Sequence, residues 1–420
     1  MLSPFFANDK NLHLERFPHA QVTRSLQAWD ATDEYFFNYL EQEALINSST
    51  KILIFNDTFG AIAINYLANP IATVSDSYLS HQGLKHNIEI NNLDAEHLAY
   101  LTSLDDLPDD VDLIIYKIPK SKALLTEQLL KIGQKYCSTV NFVAGAKAKD
   151  IHSSTLKVFE KYLGTTKTSL AVKKSRLVFC QLEQPSKDKI SYSDLFPNSW
   201  PLENTNFIIT NHANVFAREK LDLGARFMLE HLPKNPNLVH AVDLGCGNGV
   251  LSVKLGQLNP ELKLTAIDES FMAVESSRRN LLANLGANRD FRCMANNCLD
   301  NIVADDVDLI VCNPPFHQQQ AITDHIAWQM FCDAKQILNS SGQLLVIGNR
   351  HLGYDGKLAR LFGKSNVKLV ASNKKFVILQ TMICFTELST FISSPKHYCH
   401  HHHCSQCGPK IEPGYSTDAW

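Results

Sequence analysis

The sequence predicts an α/β protein made of two tandem Rossmann-like domains that arose by duplication, with a degenerate first copy. Short apolar runs alternate with helical patterns along the chain, which indicates parallel sheets covered by helices. Five of these segments recur in the same order in both halves. A length of 420 residues also exceeds what one ordinary hydrophobic core organises.

The second half shows the alternation of strand and helix most clearly. Val, Ile and Leu are concentrated in short runs, and helical patterns follow the first two of them. We therefore predict strands at Leu238–Leu244, Leu262–Asp268, Val307–Cys312 and Gln343–Gly348, with helices at Val250–Leu258 and Phe271–Leu285.

The first half repeats segments of the second, which predicts a duplicated domain. A single match between short apolar strands is weak, but five matches in one order are hard to attribute to chance. The paired segments are Ile52–Gly60 with the run V-D-L-G-C-G-N-G, Thr73–Ser77 with Thr265–Glu269, Asn87–Asn91 with Asn280–Asn284, Val111–Pro119 with Val307–Pro315, and Phe142–Lys147 with Leu345–Arg350.

A glycine-rich turn follows the first strand of the second copy. Its G-x-G-x-G spacing fails the last position of the dinucleotide-binding fingerprint. An acidic residue two places before the first glycine resembles motif I of class I methyltransferases instead, which implies S-adenosylmethionine as cofactor. A different Rossmann cofactor is the alternative. The predicted cofactor contacts in this turn are Asp243, Gly245, Gly247, Asn248 and Gly249.

Two further residues are predicted to complete the cofactor site. Asp268 ends the next strand, 25 residues after Asp243, where a carboxylate can accept both ribose hydroxyls. Asn297, in A-N-N-C-L-D, lies where such folds place a side chain against adenine. The alternative for Asn297 is an ordinary loop asparagine.

The run Asn313-Pro314-Pro315-Phe316 follows the buried strand D-L-I-V-C, 70 residues after Asp243. The amine of a nucleobase is planar, and its lone pair is delocalised into the ring. Two rigid acceptors, the Asn313 side-chain oxygen and the Pro314 carbonyl, can bind its hydrogens and aim the nitrogen at a methyl donor. Prolines fix φ and remove competing donors, and Phe316 offers a face for stacking. We predict these four residues to be catalytic, on a base amine or a glutamine amide.

The first copy has lost these features and gained positive charge. It has Lys117-Ile118-Pro119-Lys120 in place of the second copy's N-P-P-F, so we predict that it does not catalyse. Leu113–Cys180 holds 13 Lys and Arg against 3 Asp and Glu, a net +10 on a chain of net −3. Such a block indicates polyanion binding, although lysines that merely solvate helix faces are the alternative. The predicted RNA contacts are Lys117, Lys120, Lys122, Lys147 and Lys149.

Longer motifs resemble the RlmG/RsmC family of ribosomal RNA guanine-N2 methyltransferases, over nearly the whole chain up to about Gln380. They lie at Gln27–Tyr35, Ala144–His152, Asn211–Arg218, Leu221–Phe227, Asn313–Gln319 and Asn349–Leu352. The resemblance implies that only the second copy binds S-adenosylmethionine and that the acceptor is a guanine N2 in 23S rRNA, flipped out to reach the pocket. His317-Gln318-Gln319 is similar to the large-subunit members. The resemblance also implies that Phe216 lines the cofactor or base pocket, with core packing as the alternative.

These observations predict four regions along the chain. Residues 1–185 form a degenerate methyltransferase-like domain that binds RNA, 186–205 a linker rich in Pro, Ser and Asn, 206–385 the catalytic methyltransferase domain, and 386–420 an atypical tail. The tail contains zinc-ligand residue types, and Cys399, Cys404, Cys407 and one histidine could form a four-ligand site. We expect instead a disordered extension that binds no metal.

The composition, with 45% apolar and 20% charged residues, is that of a globular protein. No apolar run approaches the roughly 18–20 residues that span a bilayer, and the scattered cysteines suit reduced thiols. We predict a cytoplasmic monomer that acts on protein-free 23S rRNA or an early assembly intermediate. The alternatives are a 16S rRNA guanine-N2 methyltransferase, an N6-adenine or protein-glutamine methyltransferase, and a non-catalytic RNA-binding assembly factor.

Overall fold

The computed structural model describes residues 6–7, 10–19, 27–183, 190–316 and 320–383. The chain divides into two compact units, and each is continuous in space but not in sequence. The first contains the described residues of Met1–Ser199, with Thr210–Arg218 and Glu269–Ala273. The second contains those of Trp200–Ile209, Glu219–Asp268 and Val274–Trp420. Two short segments of the predicted catalytic domain thus belong to the first unit.

A seven-stranded mixed sheet forms the centre of the first unit, in the order β5-β4-β3-β6-β7-β9-β8. The strands β5, β4, β3, β6 and β7 are parallel, and β9 runs antiparallel to both its neighbours. Their bounds are β3 Ile52–Phe55, β4 Ile71–Ser75, β5 Leu98–Thr102, β6 Leu113–Lys117, β7 Asn141–Lys147, β8 Thr166–Thr168 and β9 Ser175–Cys180. A separate antiparallel pair consists of β1 Phe6–Ala7 and β2 Lys10–Asn11.

The second unit repeats the same sheet, in the order β14-β13-β12-β15-β16-β18-β17. Counted within each copy, both orders are 3-2-1-4-5-7-6. The bounds are β12 His240–Leu244, β13 Lys263–Asp268, β14 Phe291–Ala295, β15 Val307–Cys312, β16 Gln343–Asn349, β17 Val367–Ser372 and β18 Phe376–Met382. The strands β10 Asn198–Pro201 and β11 Ile208–Asn211 form a small two-stranded sheet.

Helices pack on both faces of each large sheet because the central strands carry buried apolar side chains on both faces. In β3, Leu53 and Phe55 belong to one buried cluster, and Ile52 and Ile54 belong to another. Alternate residues of a strand point to opposite faces, so both faces are covered. The helices are α1 Ala31–Gln42, α2 Ala61–Asn65, α3 Tyr78–Ile90, α4 Lys122–Lys135, α5 Ser153–Tyr162, α6 Tyr192–Leu195, α7 Leu223–Leu229, α8 Val250–Leu258, α9 Phe271–Leu285, α10 Gln320–Ile337 and α11 Tyr354–Phe362.

Equivalent side chains make equivalent hydrogen bonds in the two copies. The Nδ2 of Asn87 donates to the Phe59 carbonyl at 2.8 Å, and Asn280 donates to the Asn248 carbonyl, also at 2.8 Å. One turn later, the Asn91 amide donates to the His13 carbonyl and the Asn284 amide donates to the Ile208 carbonyl. Both acceptors precede the first strand of the large sheet in their copy. These buried amides explain why the asparagine pairs of the sequence recur, and the duplication extends to individual contacts.

A buried carboxylate holds together the sequence-distant segments of the first unit. Asp76 is 4% exposed and accepts hydrogen bonds from the hydroxyl groups of Ser103 and Ser270, both at 2.6 Å. It also accepts from the Asn214 amide at 2.7 Å and from the Met272 backbone N–H at 2.8 Å. Burial raises the pKa of Asp76, while these donors oppose the shift. Four donors to one buried group fix Thr210–Arg218 and Glu269–Ala273 in place.

Within the described residues, no helix is both long and apolar enough to cross a bilayer. The same part of the chain contains no group of three or more His, Cys, Asp or Glu side chains arranged to hold a metal. The cysteine- and histidine-rich tail lies outside the described residues, as do His317, Gln318 and Gln319.

Candidate active site

The predicted site residues of the second unit converge at one edge of its sheet. The strands β13, β12 and β15 are neighbours, and Leu244 pairs with both Ile267 and Cys312. Asp268 is the last residue of β13, and the glycine turn and Asn313 directly follow the carboxyl ends of β12 and β15. Strand order reverses between β12 and β15, and ligands of open α/β sheets bind in the crevice at such a point.

The glycine turn has a backbone that side-chain-bearing residues rarely adopt. Gly245, Gly247 and Gly249 have φ of 74°, 54° and 78°, all in the left-handed region that favours glycine. A Cβ on Gly249 would also lie 2.7 Å from the Ser277 hydroxyl. The turn therefore passes closely under α9, and its conformation explains why three glycines alternate.

Asp268 is connected to the glycine turn by a hydrogen bond. The backbone N–H of Gly247 donates to its Oδ2 at 2.9 Å. The N–H groups of Gly245 and Cys246 donate to the Ile267 carbonyl at 2.8 and 2.9 Å. The partly exposed Asp268 carboxylate and the turn thus form one fixed edge, where a ribose could be bound.

Asp243 lies beneath this edge, not on it. Its side chain is 3% exposed and accepts a 2.7 Å hydrogen bond from the Ser252 hydroxyl in α8. Burial raises its pKa to about 6, and the Ser252 hydrogen bonds oppose that shift. Asn248 is also buried, and its Oδ1 accepts from the Val250 N–H at 3.1 Å. Both residues order the start of α8 and thereby support the turn.

Asn297 belongs to a buried polar cluster after β14. Its Oδ1 accepts from the Gln329 side chain at 3.2 Å, and its own amide donates to Asp300 at 3.5 Å. Asp333, also on α10, accepts from the Leu299 N–H at 3.1 Å. Burial raises the pKa of Asp333 to about 7, which the Leu299 hydrogen bond only partly opposes. Gln329 and Asp333 were missed in the sequence because isolated polar residues on a helix look like its solvent face.

Asn313, Pro314, Pro315 and Phe316 follow β15 directly. Pro314 is buried, and the other three are partly buried. Among the described residues, none forms a hydrogen bond to the Asn313 side chain. Its amide oxygen is therefore available at the site edge, held by a proline-stiffened backbone.

Phe216 lies in the first unit, where its neighbour Val215 is part of a buried cluster. The Phe216 ring is 51% exposed. This exposure argues against the core-packing alternative, while the pocket role stays a prediction.

The equivalent site of the first copy is filled by its own side chains. Asn56 has a φ of 62° at the position of Gly245. Its amide donates to Gln128 at 2.8 Å and accepts from it at 2.9 Å, and Tyr116 donates to Gln128 at 2.7 Å. This network replaces the open glycine turn, which agrees with the predicted degeneracy.

Lys117 forms ion pairs within the first unit, which argues against the predicted contact with RNA. Its ammonium lies 2.9 Å from Asp33 and 3.7 Å from Asp30, and its side chain is 15% exposed. Burial lowers the pKa of Lys117, but the two carboxylates more than offset this and the net shift is upward. A mostly buried ammonium that is paired with carboxylates is not presented to a phosphate. The other four predicted lysines, Lys120, Lys122, Lys147 and Lys149, are exposed.

Comparisons with known proteins agree over both copies. Residues 3–184 match the model of the RLMG N-terminal domain, and residues 206–380 match that of the methyltransferase small domain. A ribosomal RNA large subunit methyltransferase G from Vibrio campbellii is 54% identical over 376 residues, which cover 89% of this chain and 95% of that protein. The chain belongs to the ribosomal RNA large subunit methyltransferase G family. A member from Colwellia psychrerythraea is 51% identical over 391 residues, covering 90% and 98%.

A solved structure shares the two-copy architecture. It is the T. Thermophilus 16S rRNA N2 G1207 methyltransferase (RsmC) in complex with AdoMet and guanosine. The TM-score is 0.69 with 16% identity, over 91% of this chain and 98% of that one. At this identity the likeness concerns the fold. The family, the fold class and the methyltransferase activity predicted from the sequence are thus confirmed.

Proposed function

We propose that this chain transfers a methyl group from S-adenosylmethionine to the N2 amine of a guanine in 23S rRNA. The observation that carries the proposal is the position of Asn313 and Pro314 at the carboxyl end of β15, beside the glycine turn that follows β12. Such a juxtaposition brings two hydrogen-bond acceptors to the edge where a nucleoside-like cofactor fits.

The chain's residues suit S-adenosylmethionine. The left-handed glycines leave room for a ligand against the backbone, and Asp268 supplies a carboxylate for ribose hydroxyls. Asn297 and its cluster are proposed to border the adenine. When bound, the cofactor supplies an activated methyl group on a sulfonium. No strong base is needed near Asn313, because the amine nitrogen becomes cationic as it is methylated and its proton is then acidic enough to pass to water.

Positioning and desolvation would supply most of the rate enhancement. The Asn313 Oδ1 and the Pro314 carbonyl accept the two amine hydrogens, which orients the nitrogen for in-line attack. Phe316 stacks on the flipped base. Pro314 and Pro315 stiffen the segment, so little conformational freedom is lost when the base binds.

The choice of acceptor rests on the relatives. The similar proteins are named large subunit methyltransferases, which favours 23S over 16S rRNA. The structural neighbour is named an N2 G1207 methyltransferase and holds guanosine, which favours a guanine amine over adenine N6 or a protein glutamine. We further propose that a monomer acts in the cytoplasm on protein-free 23S rRNA or an early intermediate.

The test is methyl transfer from labelled cofactor to protein-free 23S rRNA, assembled large subunits and 16S rRNA, followed by nucleoside analysis. We expect N2-methylguanosine in protein-free 23S rRNA. N6-methyladenosine, or label in 16S rRNA alone, would refute the proposed acceptor. A wild-type protein without cofactor binding in calorimetry would favour a non-catalytic assembly factor.

A further inference from the structure

The loop that follows β14 is held in a compact conformation by its own hydrogen bonds. We call Asn296–Asn301 the β14 loop. The Asn296 side chain is buried, and its amide donates to the Cys298 carbonyl at 3.1 Å and to the Asp300 carbonyl at 2.8 Å. Cys298 and Asn301 have φ of 47° and 58°, in the left-handed region that residues other than glycine seldom adopt. The backbone of the loop is therefore formed before any ligand binds.

The β14 loop begins beside the residue that is proposed to bind the ribose. Asp268 pairs with Ala295 in the parallel register of β13 and β14, and the Asn296 backbone N–H donates to the Asp268 carbonyl at 3.1 Å. A ribose bound by the Asp268 carboxylate carries its base on a single glycosidic bond. This neighbourhood supports the proposed position of Asn297, the next residue of the loop, beside the adenine.

The Asn297 amide is fixed in one orientation by its two partners. A side-chain amide can turn over and exchange its oxygen for its nitrogen, so its hydrogen bonds decide which atom faces which way. The Gln329 Nε2 donates to the Asn297 Oδ1 at 3.2 Å, and the Asn297 Nδ2 donates to the Asp300 carboxylate at 3.5 Å. If the Asn297 amide turned over, two donors would face each other at Gln329 and two acceptors at Asp300.

Gln329 is itself oriented by a carboxylate one turn along α10. Asp333 follows Gln329 by four residues, which puts both side chains on one face of the helix. Burial raises the pKa of Asp333 to about 7, and a hydrogen bond from the Gln329 amide is among the effects that oppose this rise. The Gln329 nitrogen therefore faces Asp333 as well as Asn297. Asp333, Gln329 and Asn297 form a chain of oriented polar groups that ends in the β14 loop.

The fixed Asn297 amide keeps a hydrogen-bonding capacity that matches adenine. A side-chain amide has two lone pairs and two N–H groups, and Gln329 and Asp300 occupy one of each. The remaining lone pair suits the N6 amine of adenine, and the remaining N–H suits a ring nitrogen adjacent to it. Hypoxanthine carries a carbonyl at the position of that amine, so its oxygen would face the Asn297 oxygen and the contact would be repulsive.

We infer that Gln329 is a positioning residue that fixes the Asn297 amide and thereby makes the cofactor site selective for an adenine base. Gln329 acts through Asn297, and the selectivity comes from a donor on α10 and not from the β14 loop alone. The inference deepens the proposed function and rests on it, because it takes Asn297 to border the adenine.

The test compares S-adenosylhomocysteine with S-inosylhomocysteine, its analogue with hypoxanthine as the base, by calorimetry. Wild type should bind the adenine ligand about 10- to 100-fold more tightly. Gln329→Met removes the donor but keeps an unbranched, helix-forming side chain. We expect it to lower this ratio to about threefold or less, mainly by weakening the adenine ligand. The matched control is Gln336→Met, at an exposed glutamine of the same helix, which should keep the wild-type ratio.

Further variants separate positioning from packing. Gln329→Leu removes the same donor with a side chain of different shape and should give the same ratio as Gln329→Met. Asn297→Ala should lower the ratio by itself, and adding Gln329→Met to it should lower the ratio no further, because both residues act through one contact. An unchanged ratio in the Gln329 variants, or an equal loss of affinity for both ligands, would show that Gln329 only packs and would overturn the inference.

Turnover separates this inference from the proposed function. With saturating rRNA, Gln329→Met should raise the KM for S-adenosylmethionine about tenfold and keep kcat within about twofold of wild type, since the methyl-acceptor residues are unchanged. A wild type that methylates guanine but binds the two ligands equally well refutes the inference and leaves the function standing. A wild type that prefers the adenine ligand but methylates no RNA refutes the function instead.

Discussion

At the residue scale, the two copies differ at the residue that follows β15 in the second copy and β6 in the first. Asn313 follows β15 in the second copy, and none of the other described residues bonds its side chain. Lys117 follows β6 at the matching position of the first copy and is paired with Asp33 and Asp30. The same backbone location therefore offers a hydrogen-bond acceptor in one copy and a buried ion pair in the other.

Replacing Asn313→Ala tests the acceptor role. We expect turnover to fall by at least about 10³-fold, because one of the two groups that orient the amine is lost. Calorimetry should show an affinity for S-adenosylmethionine within about twofold of wild type. Retained turnover would show that Asn313 does not position the amine, and a large loss of cofactor affinity would indicate a role in the cofactor site instead.

Replacing Lys117→Met tests the structural role of the ion pair. The change leaves two acidic groups near a buried site without their ammonium partner, and we expect a loss of about 3–5 kcal/mol in the free energy of unfolding. Chemical denaturation measures it. The control Lys120→Met, an exposed lysine three residues on, should remain near wild-type stability. RNA affinity lost by Lys117→Met in a still folded protein would restore the original prediction.

At the element scale, α10 supports the loop that follows β14. Gln329 and Asp333 both lie on this helix and bind Asn297 and the Leu299 N–H. The carboxylate is taken out of water, so its proton equilibrium is coupled to folding. The elevated pKa of Asp333 makes that coupling measurable.

The stability of the protein should depend on the Asp333 proton. Between about pH 4, the ordinary aspartate pKa, and the folded value of about 7, the folded state binds a proton that the unfolded state does not. The free energy of unfolding therefore falls as pH rises through this window. Asparagine does not titrate, so the Asp333→Asn variant does not lose free energy of unfolding in this way. Its Tm relative to wild type should therefore increase from pH 5 to pH 8. The exposed Asp290→Asn is the control, and an equal Tm difference at both pH values would contradict the coupling.

At the scale of the whole molecule, an acidic chain carries a strongly basic segment. The net charge is −3, yet Leu113–Cys180 carries +10. Four of the five predicted RNA contacts are exposed, whereas Lys117 is not. We therefore expect any long-range attraction of RNA to depend on the distribution of charge along the surface and not on its sum.

Replacing Lys120, Lys122, Lys147 and Lys149 by serine should weaken RNA binding in a salt-dependent way. Each lysine that contacts a phosphate contributes about 1 to the slope of log Kd against log salt, so we expect the slope to fall by about 3–4. Titrations at several salt concentrations measure this slope. The control variant carries Lys364→Ser and Lys368→Ser, at two exposed positions of the second unit, and should leave the slope unchanged. An unaltered slope in the quadruple variant would reject the basic segment as the RNA surface.

The sequence alone determined the fold class and several elements of the second copy, and it predicted where the site lies. The predicted Val250–Leu258, Phe271–Leu285 and Val307–Cys312 coincide with the observed elements, because buried parallel strands and the helices between them leave periodic apolar patterns. The family followed from longer motifs such as Asn313–Gln319, which are local in the chain.

Only the tertiary structure decided what each charged side chain contacts. Asp333, Gln329 and Asp76 act through partners far away in sequence, and Lys117 meets Asp33 across 84 residues. Local sequence does not show which distant group will lie beside a side chain. The tertiary structure decides this, because burial and pairing determine whether a lysine can reach RNA or is bound to a carboxylate.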